Sequence, residues 1–186
     1  MKLLWAMTGS GDRIREILDI MKETETNPRI SLTVLLSKAA GQVLRWYEML
    51  NEVQTEFKKV HSERDANTPF IAGPLQMGKY DLFVVAPLTS NSAAKMAYGI
   101  ADTVVTNCFA QTLKGPTPAV LYPVDQNPGS VTTYGPKGER VEVRAREVDL
   151  DNVQKLRMMR NVEVAKSLSD VAEHIEAALE REAELE

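Results

Sequence analysis

A buried strand that leads into small polar residues and then a helix most constrains how this chain can fold. Residues 82–86, Leu-Phe-Val-Val-Ala, are an apolar run that ends at Pro87, and residues 89–93 are small or polar. A helical pattern then begins. In open α/β sheets, a ligand of such a unit lies beyond the carboxyl end of the strand. An ordinary strand–loop–helix that binds nothing remains an alternative, because a fold does not imply a function.

A similar turn follows the first predicted strand. Residues 3–7 are continuously apolar, and residues 8–11, Thr-Gly-Ser-Gly, precede a helical pattern that starts at Ile14. Glycines let backbone N–H groups approach an anion closely, and a helix N-terminus adds partial positive charge. The spacing differs from the dinucleotide fingerprint G-x-G-x-x-G. The turn therefore suits a phosphate, although a tight turn that caps a helix explains the pattern as well.

A third polar strand end follows residues 30–36, where the sequence continues with Ser37 and Lys38. A hydroxyl and an ammonium group both suit a phosphate. The alternative is that Ser37 caps the next helix and that the Lys38 side chain is solvated. If the strands are parallel neighbours, the turns at Thr8, Ser37 and Ala86 converge on one crevice.

The alternation of continuously apolar strands with helical patterns predicts an α/β fold with a doubly wound, Rossmann-like parallel sheet in three α/β/α layers. Residues 131–144 alternate strictly around a turn at 135–138, which predicts an appended hairpin with one buried face. The remaining predicted elements are a helix over 39–60, a loop over 64–79, strands at 119–122 and 162–164, and helices over 151–159 and 171–185.

Charge and cysteine content exclude several classes of function. The net charge is −4, which argues against a basic nucleic-acid-binding surface. The single cysteine, Cys108, lies in an apolar helical run and is predicted to be an inert core thiol; one cysteine cannot build a zinc or iron–sulfur site. His61 and His174 have no companion ligands, so neither a metal site nor a histidine base is predicted. The absence of a membrane-length apolar run and of a signal peptide pattern points to the cytoplasm.

Residues 86–102, Ala-Pro-Leu-Thr-Ser-Asn-Ser-Ala-Ala-Lys-Met-Ala-Tyr-Gly-Ile-Ala-Asp, resemble the signature of the homo-oligomeric FMN-binding flavoproteins. That superfamily includes phosphopantothenoylcysteine decarboxylases, lantibiotic-peptide cysteine decarboxylases and flavin prenyltransferases. The resemblance implies one flavoprotein domain over 1–186, with an FMN-binding core at 1–125 and the hairpin and C-terminal helices at 126–186. It also implies a homo-oligomer built from trimers, with FMN at the subunit interfaces.

The same resemblance implies where FMN would lie. Its phosphate would sit among the Gly9–Ser10 turn, Ser37 and the 89–92 turn, and its ring near Pro87 and residues 90–91, with a neighbouring subunit contributing. The full set of cofactor-binding residues expected on this basis is Thr8, Gly9, Ser10, Gly11, Ser37, Lys38, Ala86, Pro87, Leu88, Thr89, Ser90, Asn91, Ser92, Lys95 and Asp102. The resemblance assigns no catalytic residue.

Departures from the superfamily pattern bear on the reaction. The decarboxylases carry a histidine before the signature strand and a Pro-x-Met-Asn motif after the next strand. Here residues 68–79 contain no histidine, and the later strand is followed by Pro-Val-Asp-Gln at 123–126. The base and the carboxylate-binding asparagine of the decarboxylases are therefore absent.

A narrower group fits most of the chain. The segments Trp5-x-x-Thr-Gly-x-Gly-Asp12, Leu36-Ser-Lys38, Asn67-x-Pro-Phe70 and Asp149-x-Asp-Asn-Val153 resemble the archaeoflavoprotein and dihydromethanopterin reductase (acceptor) group. This resemblance implies an FMN-dependent oxidoreductase that reduces dihydromethanopterin, a dihydropterin, to tetrahydromethanopterin. The reductant would come from outside, from ferredoxin or NAD(P)H, because Cys108 alone cannot hold a cluster. Three alternatives stay open: an electron-transfer flavoprotein reduced by ferredoxin, a decarboxylase or prenyltransferase of the superfamily, and a module without flavin.

Overall fold

The structure is a computed structural model that describes residues 1–183. Six parallel strands form the main sheet in the order β3-β2-β1-β4-β5-β8, and two antiparallel strands, β6 and β7, form a separate hairpin. The strands are β1 (Lys2–Met7), β2 (Ser31–Leu36), β3 (Val60–Ser62), β4 (Leu82–Leu88), β5 (Ala119–Pro123), β6 (Ser130–Tyr134), β7 (Arg140–Arg144) and β8 (Val162–Val164). The helices are α1 (Ile14–Thr26), α2 (Lys38–Trp46), α3 (Leu50–Glu56), α4 (Ala72–Gln76), α5 (Ser90–Ala97), α6 (Val104–Thr112), α7 (Glu147–Arg157) and α8 (Leu168–Ala183).

The strand order creates a topological switch point between β1 and β4. From β1 the chain moves outward through β2 and β3, returns to β4 on the other side of β1, and continues outward to β5 and β8. The carboxyl ends of β1 and β4 are therefore adjacent, while the connections that follow them diverge. In open α/β sheets this divergence leaves a crevice for a ligand.

Helices cover both faces of the sheet, so the predicted three-layer α/β/α fold is confirmed. Alternate residues of β1 face opposite layers: Leu3, Trp5 and Met7 pack with α1, α2, α3 and α8, whereas Leu4 and Ala6 pack with α4, α5, α6 and α7. A strand that is buried on both faces needs continuous apolar sequence. This requirement explains why β1 and β4 are recognisable in the sequence as unbroken apolar runs.

The predicted helix over 39–60 is wrong, because the chain breaks there into α2, α3 and β3. Glu48 adopts a left-handed backbone with φ 58° between the two helices. The break was not visible in the apolar pattern, since apolar residues continue across it at helical spacings of three or four, at Leu44, Tyr47, Leu50, Val53 and Phe57. His61, which directly follows the predicted 39–60 helix, lies in the edge strand β3.

Two further boundaries differ from expectation. The strand that we predicted to end at Pro87 continues to Leu88, and α5 begins at Ser90, inside the segment 89–93 that we read as a turn. The helical pattern after it forms two helices, α5 and α6. The predicted loop over 64–79 contains the short helix α4.

The hairpin forms as predicted, but its predicted buried face is wrong. Val131, Val141 and Val143 are 49%, 43% and 39% exposed. The alternation of apolar and polar residues indicates strands correctly, yet the two strands project from the body of the chain rather than packing onto its core.

The C-terminal elements form close to their predicted positions. Helix α7 begins at Glu147 rather than at 151, because Asp149 accepts a hydrogen bond from the Arg146 N–H and thereby caps the earlier start. The last helix was predicted over 171–185; α8 runs from Leu168, and residue 185 lies outside the described residues. In the described part of the chain, no helix has the length and apolar character needed to cross a membrane.

Candidate functional site

The carboxyl ends of β1 and β4 are tied together by the side chain of Thr8. The Thr8 hydroxyl donates to the Pro87 carbonyl oxygen (2.8 Å) and accepts from the Thr89 N–H (2.8 Å). The Thr8 N–H also donates to the Pro87 carbonyl oxygen, at 3.1 Å. Since the only hydroxyl hydrogen of Thr8 is engaged, this residue acts here as a clamp that keeps the two strand ends in register.

The turn after β1 lies directly on the first turn of α2. A Cβ atom on Gly9 would stand 2.6 Å from the Cβ of Ala39, which is closer than side chains approach, so glycine is required for this contact. Ser37 caps α2 by accepting a hydrogen bond from the Ala40 N–H at 3.0 Å. The capping alternative for Ser37 is therefore realised, and its hydroxyl hydrogen remains able to donate to a ligand.

The turn after β4 has the same construction. Thr89 caps α5 by accepting from the Ser92 N–H, and its hydroxyl donates to the Ser92 hydroxyl at 3.1 Å. Ser90 donates a hydrogen bond to the carboxylate of Asp125, which follows β5. Asn91 is exposed at the start of the helix. The ends of three adjacent strands, β1, β4 and β5, are thus linked around one edge of the sheet.

The two helix N-termini at this edge leave backbone donors free. First-turn N–H groups of a helix have no intrahelical partner. At α2 the Ala40 donor is used by Ser37, and the Lys38 N–H donates to Glu63 at 2.8 Å, which leaves the Ala39 N–H. At α5 the Ser92 donor is used by Thr89, which leaves those of residues 90 and 91. These groups, together with the Gly9–Ser10 turn, fit a phosphate group.

Glu63 is a residue of this edge that the sequence did not indicate. Its two carboxylate oxygens accept from the Lys38 N–H of α2 (2.8 Å) and from the Val104 N–H of α6 (2.9 Å). One side chain therefore caps two helices that are far apart in sequence. Nothing near Glu63 in the sequence signals this role, because it depends on how α2 and α6 are placed.

The other predicted site residues divide between backbone positions and the far end of α5. The side chains of Ala86 and Leu88 are fully buried in the core, so these residues could contribute only backbone groups. Lys95 pairs with Asp102, with 2.9 and 2.8 Å between its ammonium nitrogen and the two carboxylate oxygens. Lys95 lies five residues after Ser90, about 7.5 Å along the helix. The structure therefore does not bring Lys95 and Asp102 to the start of α5.

The signature around Lys95 and Asp102 has a structural explanation at the end of α5. Gly99 has φ 73°, the Gly99 N–H donates to the Met96 carbonyl oxygen (3.2 Å), and the Ile100 N–H donates to that of Lys95 (2.8 Å). These two bonds form a Schellman motif, which ends a helix with a glycine in the left-handed conformation. The second half of the signature thus stops α5 and turns the chain toward α6.

A cavity opens beside the Gly9–Ser10 turn, under the projecting hairpin; we name it the hairpin cavity. Its volume is about 270 Å³, and it joins a wider depression of about 520 Å³ along Arg13, Met49 and the 131–136 segment. The hairpin cavity is lined by Gly9, Ser10, Gly11, Asp12, Tyr47, Val124, Asp125, Val131, Thr133 and Val143.

Two contacts hold the hairpin over this cavity. The Tyr47 hydroxyl donates to the Tyr134 carbonyl oxygen at 3.1 Å, and Thr133 lies close enough to Asp12 to lower the pKa of that carboxyl. Gly11 makes room for Tyr47, since a Cβ on Gly11 would lie 2.3 Å from the tyrosine oxygen. The cavity wall is therefore built from segments that are more than a hundred residues apart in the chain.

Two carboxylates stand in the hairpin cavity, those of Asp12 and Asp125. Burial raises the pKa of Asp12; the hydrogen bond from Thr133 and the charge of Arg13 oppose this shift, and the nearby charges of Asp125 and Glu16 add to it. Asp12, Tyr47 and Asp125 were not among the predicted site residues. The position of Asp125, two residues after an apolar strand, was the one sequence signal that could have identified it.

Cys108 is fully buried, and burial raises the pKa of its thiol to about 12. The thiol is therefore protonated at neutral pH, which confirms the predicted inert cysteine. Across residues 1–183, no group of three or more His, Cys, Asp or Glu side chains is arranged to hold a metal ion.

Comparison with known sequences places these features in context. The family model described as Flavoprotein matches residues 1–184. An uncharacterized protein of Methanocaldococcus jannaschii is 41% identical over 171 residues, which cover 92% of each chain. A dihydromethanopterin reductase (acceptor) of the same organism is 36% identical over 144 residues. This match covers 73% of the present chain and 58% of the reductase, so the chain spans little more than half of that relative.

Comparison with solved structures agrees with the fold. DmrB of Burkholderia xenovorans, solved in complex with FMN and described as a cubic protein cage for redox transfer, has a TM-score of 0.82 and 32% identity, covering 97% of this chain and 96% of its own. A dodecameric FMN-dependent UbiX-like decarboxylase from Escherichia coli O157:H7 has a TM-score of 0.66 at 19% identity, covering 100% of this chain and 95% of its own. At that identity the likeness shows the fold alone.

Proposed function

This chain belongs to the Flavoprotein family, and from that membership we propose that it is an FMN-dependent oxidoreductase that reduces a dihydropterin with electrons from an external donor. The cofactor is FMN, as the family match and the similarity to the FMN complex of DmrB support. The specific substrate that we propose is dihydromethanopterin, because the chain is 36% identical to a dihydromethanopterin reductase. One structural observation carries the proposal: three adjacent strand ends form an edge with free helix-terminal donors beside a cavity of heterocycle size.

The residues at the edge would hold FMN through its phosphate. We propose that the Gly9–Ser10 turn and the N-terminus of α2 receive the phosphate, with the hydroxyl of Ser37 as a further donor. The N-terminus of α5, with Ser90 and Asn91, would lie beside the flavin ring. FMN supplies the redox chemistry when it is bound, whereas the protein supplies placement and electrostatics.

Reduction of a dihydropterin to the tetrahydro form consumes two electrons and two protons. The protons can come from water. The electrons must come from outside the chain, because the one thiol, Cys108, is buried and protonated. We propose ferredoxin or NAD(P)H as the donor, and we place the reaction in the cytoplasm, where a single unpaired cysteine is ordinary.

The residues argue against a decarboxylase of the same superfamily. Residues 68–79 contain no histidine, and the segment after β5 is Pro-Val-Asp-Gln. Its Asp125 accepts a hydrogen bond from Ser90. A carboxylate at this position would repel the carboxylate of a substrate about to be decarboxylated, since like charges repel.

We propose that the whole chain acts as one unit and assembles as a homo-oligomer built from trimers. The C-terminal part, 126–186, contributes β8 to the same sheet as the core 1–125, so the two parts share one framework. Exposed large apolar side chains support self-association: Trp46, Phe70 and Met158 are 67%, 80% and 79% exposed.

The experiment that tests the function is anaerobic spectroscopy of the purified protein loaded with FMN. Dithionite, reduced ferredoxin or NAD(P)H first bleaches the flavin absorbance, and dihydromethanopterin is then added. The expected result is stoichiometric reoxidation of the flavin with formation of the tetrahydropterin. Rapid reduction by ferredoxin without pterin turnover would select an electron-transfer flavoprotein instead. Protein that fails to bind added FMN would refute the flavin assignment.

A further inference from the structure

The hairpin cavity combines walls that suit a flat ring with two acceptors that suit N–H donors. Tyr47 and the valines 124, 131 and 143 form the apolar part of its lining, and the carboxylates of Asp12 and Asp125 form the polar part. Pockets for small organic ligands have this composition, an apolar lining with a few convergent polar groups. Two carboxylates disfavour a phosphate or a carboxylate as the occupant, because like charges repel.

The position of the cavity connects it with the flavin edge. Ser10 lines the cavity and belongs to the proposed phosphate turn, while Asp125 accepts a hydrogen bond from Ser90, beside which the flavin ring would lie. A ligand in the cavity would therefore be a neighbour of the cofactor. That position suits a substrate that exchanges electrons with the cofactor better than it suits a remote effector.

The chemistry of the two carboxylates selects the class of ligand. A carboxylate accepts two hydrogen bonds from a planar pair of N–H donors, as it does from guanidinium. A 2-amino-4-oxopyrimidine ring presents such a pair at its 2-amino group and N3–H. In Asp125, Ser90 engages one oxygen, Oδ2. Asp12 and Thr133 line the cavity together. Each carboxylate can accept further hydrogen bonds, since ionised carboxylates offer about four lone-pair sites.

We propose that the hairpin cavity is the substrate subsite, and that Asp12, assisted by Asp125, recognises the 2-amino-4-oxopyrimidine edge of the pterin. This inference rests on the proposed function and deepens it by assigning the residues that choose the substrate class. The hairpin supplies one wall of the subsite through Val131, Thr133 and Val143. The two hairpin strands do not pack on the core, and their role is to complete a cavity that the α/β body alone would leave open.

The test uses a pair of ligands that differ at the proposed contact. 6-Methyl-7,8-dihydropterin carries the 2-amino group, and the matching dihydrolumazine carries an oxygen in its place. Binding of each is followed by perturbation of the oxidised flavin spectrum, without turnover. The wild-type protein is expected to prefer the pterin by roughly 10-fold or more, because a site built for a donor pair rejects an analogue that lacks it.

Three variants complete the design. Asp12→Asn is expected to lose most of the preference and to raise the KM for dihydropterin about 10-fold with little change in kcat. Asp125→Asn is expected to weaken the preference less, because the amide oxygen can still accept from Ser90. Asp19→Asn, an exposed acid on α1, serves as the control and should behave as wild type. Asp12→Asn and Asp19→Asn should retain wild-type affinity for FMN.

The outcomes separate the inference from the function on which it rests. If the wild type reduces dihydropterin but Asp12→Asn keeps both the preference and the KM, the subsite assignment is wrong and the function stands. If the preference depends on Asp12 but no reduction occurs, the function is wrong and the subsite stands. If Asp12→Asn instead loses affinity for FMN with unchanged ligand preference, the cavity belongs to the cofactor and the inference is overturned.

Discussion

At the scale of single residues, two glycines shape the edge where the cofactor is proposed to bind. Gly9 lets the first turn contact Ala39 of α2, and Gly11 lets Tyr47 lean over the cavity. The sequence indicated that these glycines approach an anion. In the structure these glycines lie against protein atoms, Gly9 against Ala39 and Gly11 against Tyr47. The contact of Gly9 with Ala39 brings backbone donors of the turn and of α2 to the same place.

Replacement of Gly9 tests this close approach. Gly9→Ala forces apart the first turn and α2, because the new Cβ would lie 2.6 Å from that of Ala39. We expect affinity for FMN to fall about 10-fold or more, since charge-assisted hydrogen bonds depend strongly on geometry. The measurement is a flavin fluorescence titration.

Gly41→Ala is the matched control for this substitution. Gly41 lies inside α2, and its nearest neighbour would be an Arg45 side-chain nitrogen at 3.7 Å, an ordinary contact. This variant should keep its FMN affinity and gain about 0.5–1 kcal/mol of stability, because alanine favours a helix over glycine. Equal affinity for FMN in both variants would contradict the proposed phosphate turn.

The raised pKa of Asp12 leads to a prediction about how the stability of the protein depends on pH. Burial raises its pKa in the folded protein above the unfolded value, so ionisation costs folding free energy at any pH above that unfolded value. Asp12→Asn removes this cost. We expect the variant to have a higher Tm than wild type at pH 7 and the difference to shrink as the pH falls below about 4, where both states are protonated.

Thermal unfolding at several pH values checks this prediction. A Tm difference that stays constant from pH 7 to pH 3.5 would show that ionisation of Asp12 is not its cause. A gain in stability together with the loss of pterin preference would identify Asp12 as a residue kept for binding at the expense of stability, a common pattern at functional sites.

At the scale of elements, the helix ends determine the shape of the site. Helix α2 begins at the site with Ser37 as its cap, and α5 begins there with Thr89 as its cap. The other end of α5, the Schellman motif at Gly99, lies away from the site. Residues that look like one ligand-binding signature in the sequence therefore act at both ends of one helix. The first part faces the crevice, and the second part determines where α6 begins.

Gly99→Ala tests the stop signal at the end of α5. An added Cβ at this position would meet nothing within 4 Å, so the cost is that of placing alanine at φ 73°. We expect a loss of about 1–2 kcal/mol in the free energy of unfolding. Gly73→Ala, which also meets nothing within 4 Å but lacks a positive φ, is the control and should not destabilise the chain. Similar losses in both variants would refute this explanation.

Glu63 caps both α2 and α6, and this leads to a second prediction about the helix ends. In Glu63→Gln only one oxygen remains, so the Lys38 and Val104 N–H groups can no longer both be capped. We expect a loss of about 1–2 kcal/mol, as for other helix caps. Urea unfolding measures it, with Glu173→Gln on the exposed face of α8 as the control. Indistinguishable unfolding midpoints for the two variants would show that the bridge contributes nothing.

At the scale of the whole molecule, assembly and cofactor binding are proposed to be coupled. If FMN lies between subunits, it binds only the assembled state. FMN then stabilises the assembly by mass action. We therefore expect a homo-oligomer of three chains, or a multiple of three, whose FMN affinity decreases when the protein is diluted. Light scattering and flavin titration at several protein concentrations measure the two properties. A monomer that binds FMN with the same affinity at all concentrations would contradict the proposal.

Much of this architecture could be predicted from the sequence for a physical reason. Central parallel strands are buried on both faces, so β1, β4 and β5 had to be continuous apolar runs, and the polar turns after them had to lie at one edge. The break of the predicted 39–60 helix could not be predicted, because apolar residues continue through it at spacings of three or four, at Leu44, Tyr47, Leu50, Val53 and Phe57. Local periodicity reports which side is buried and is insensitive to a change of helix axis.

The sequence by itself determined the α/β class, the edge of the sheet that carries the polar turns, and the family. Those properties follow from burial periodicity and from local residue types, which need no knowledge of distant contacts. Only the tertiary structure decided that Thr8 is a clamp, that Glu63 caps two helices, and that Asp12, Tyr47 and Asp125 meet under the hairpin. These contacts join segments far apart in the chain, and the strand–turn–helix at 82–97 becomes a candidate site because those segments surround it.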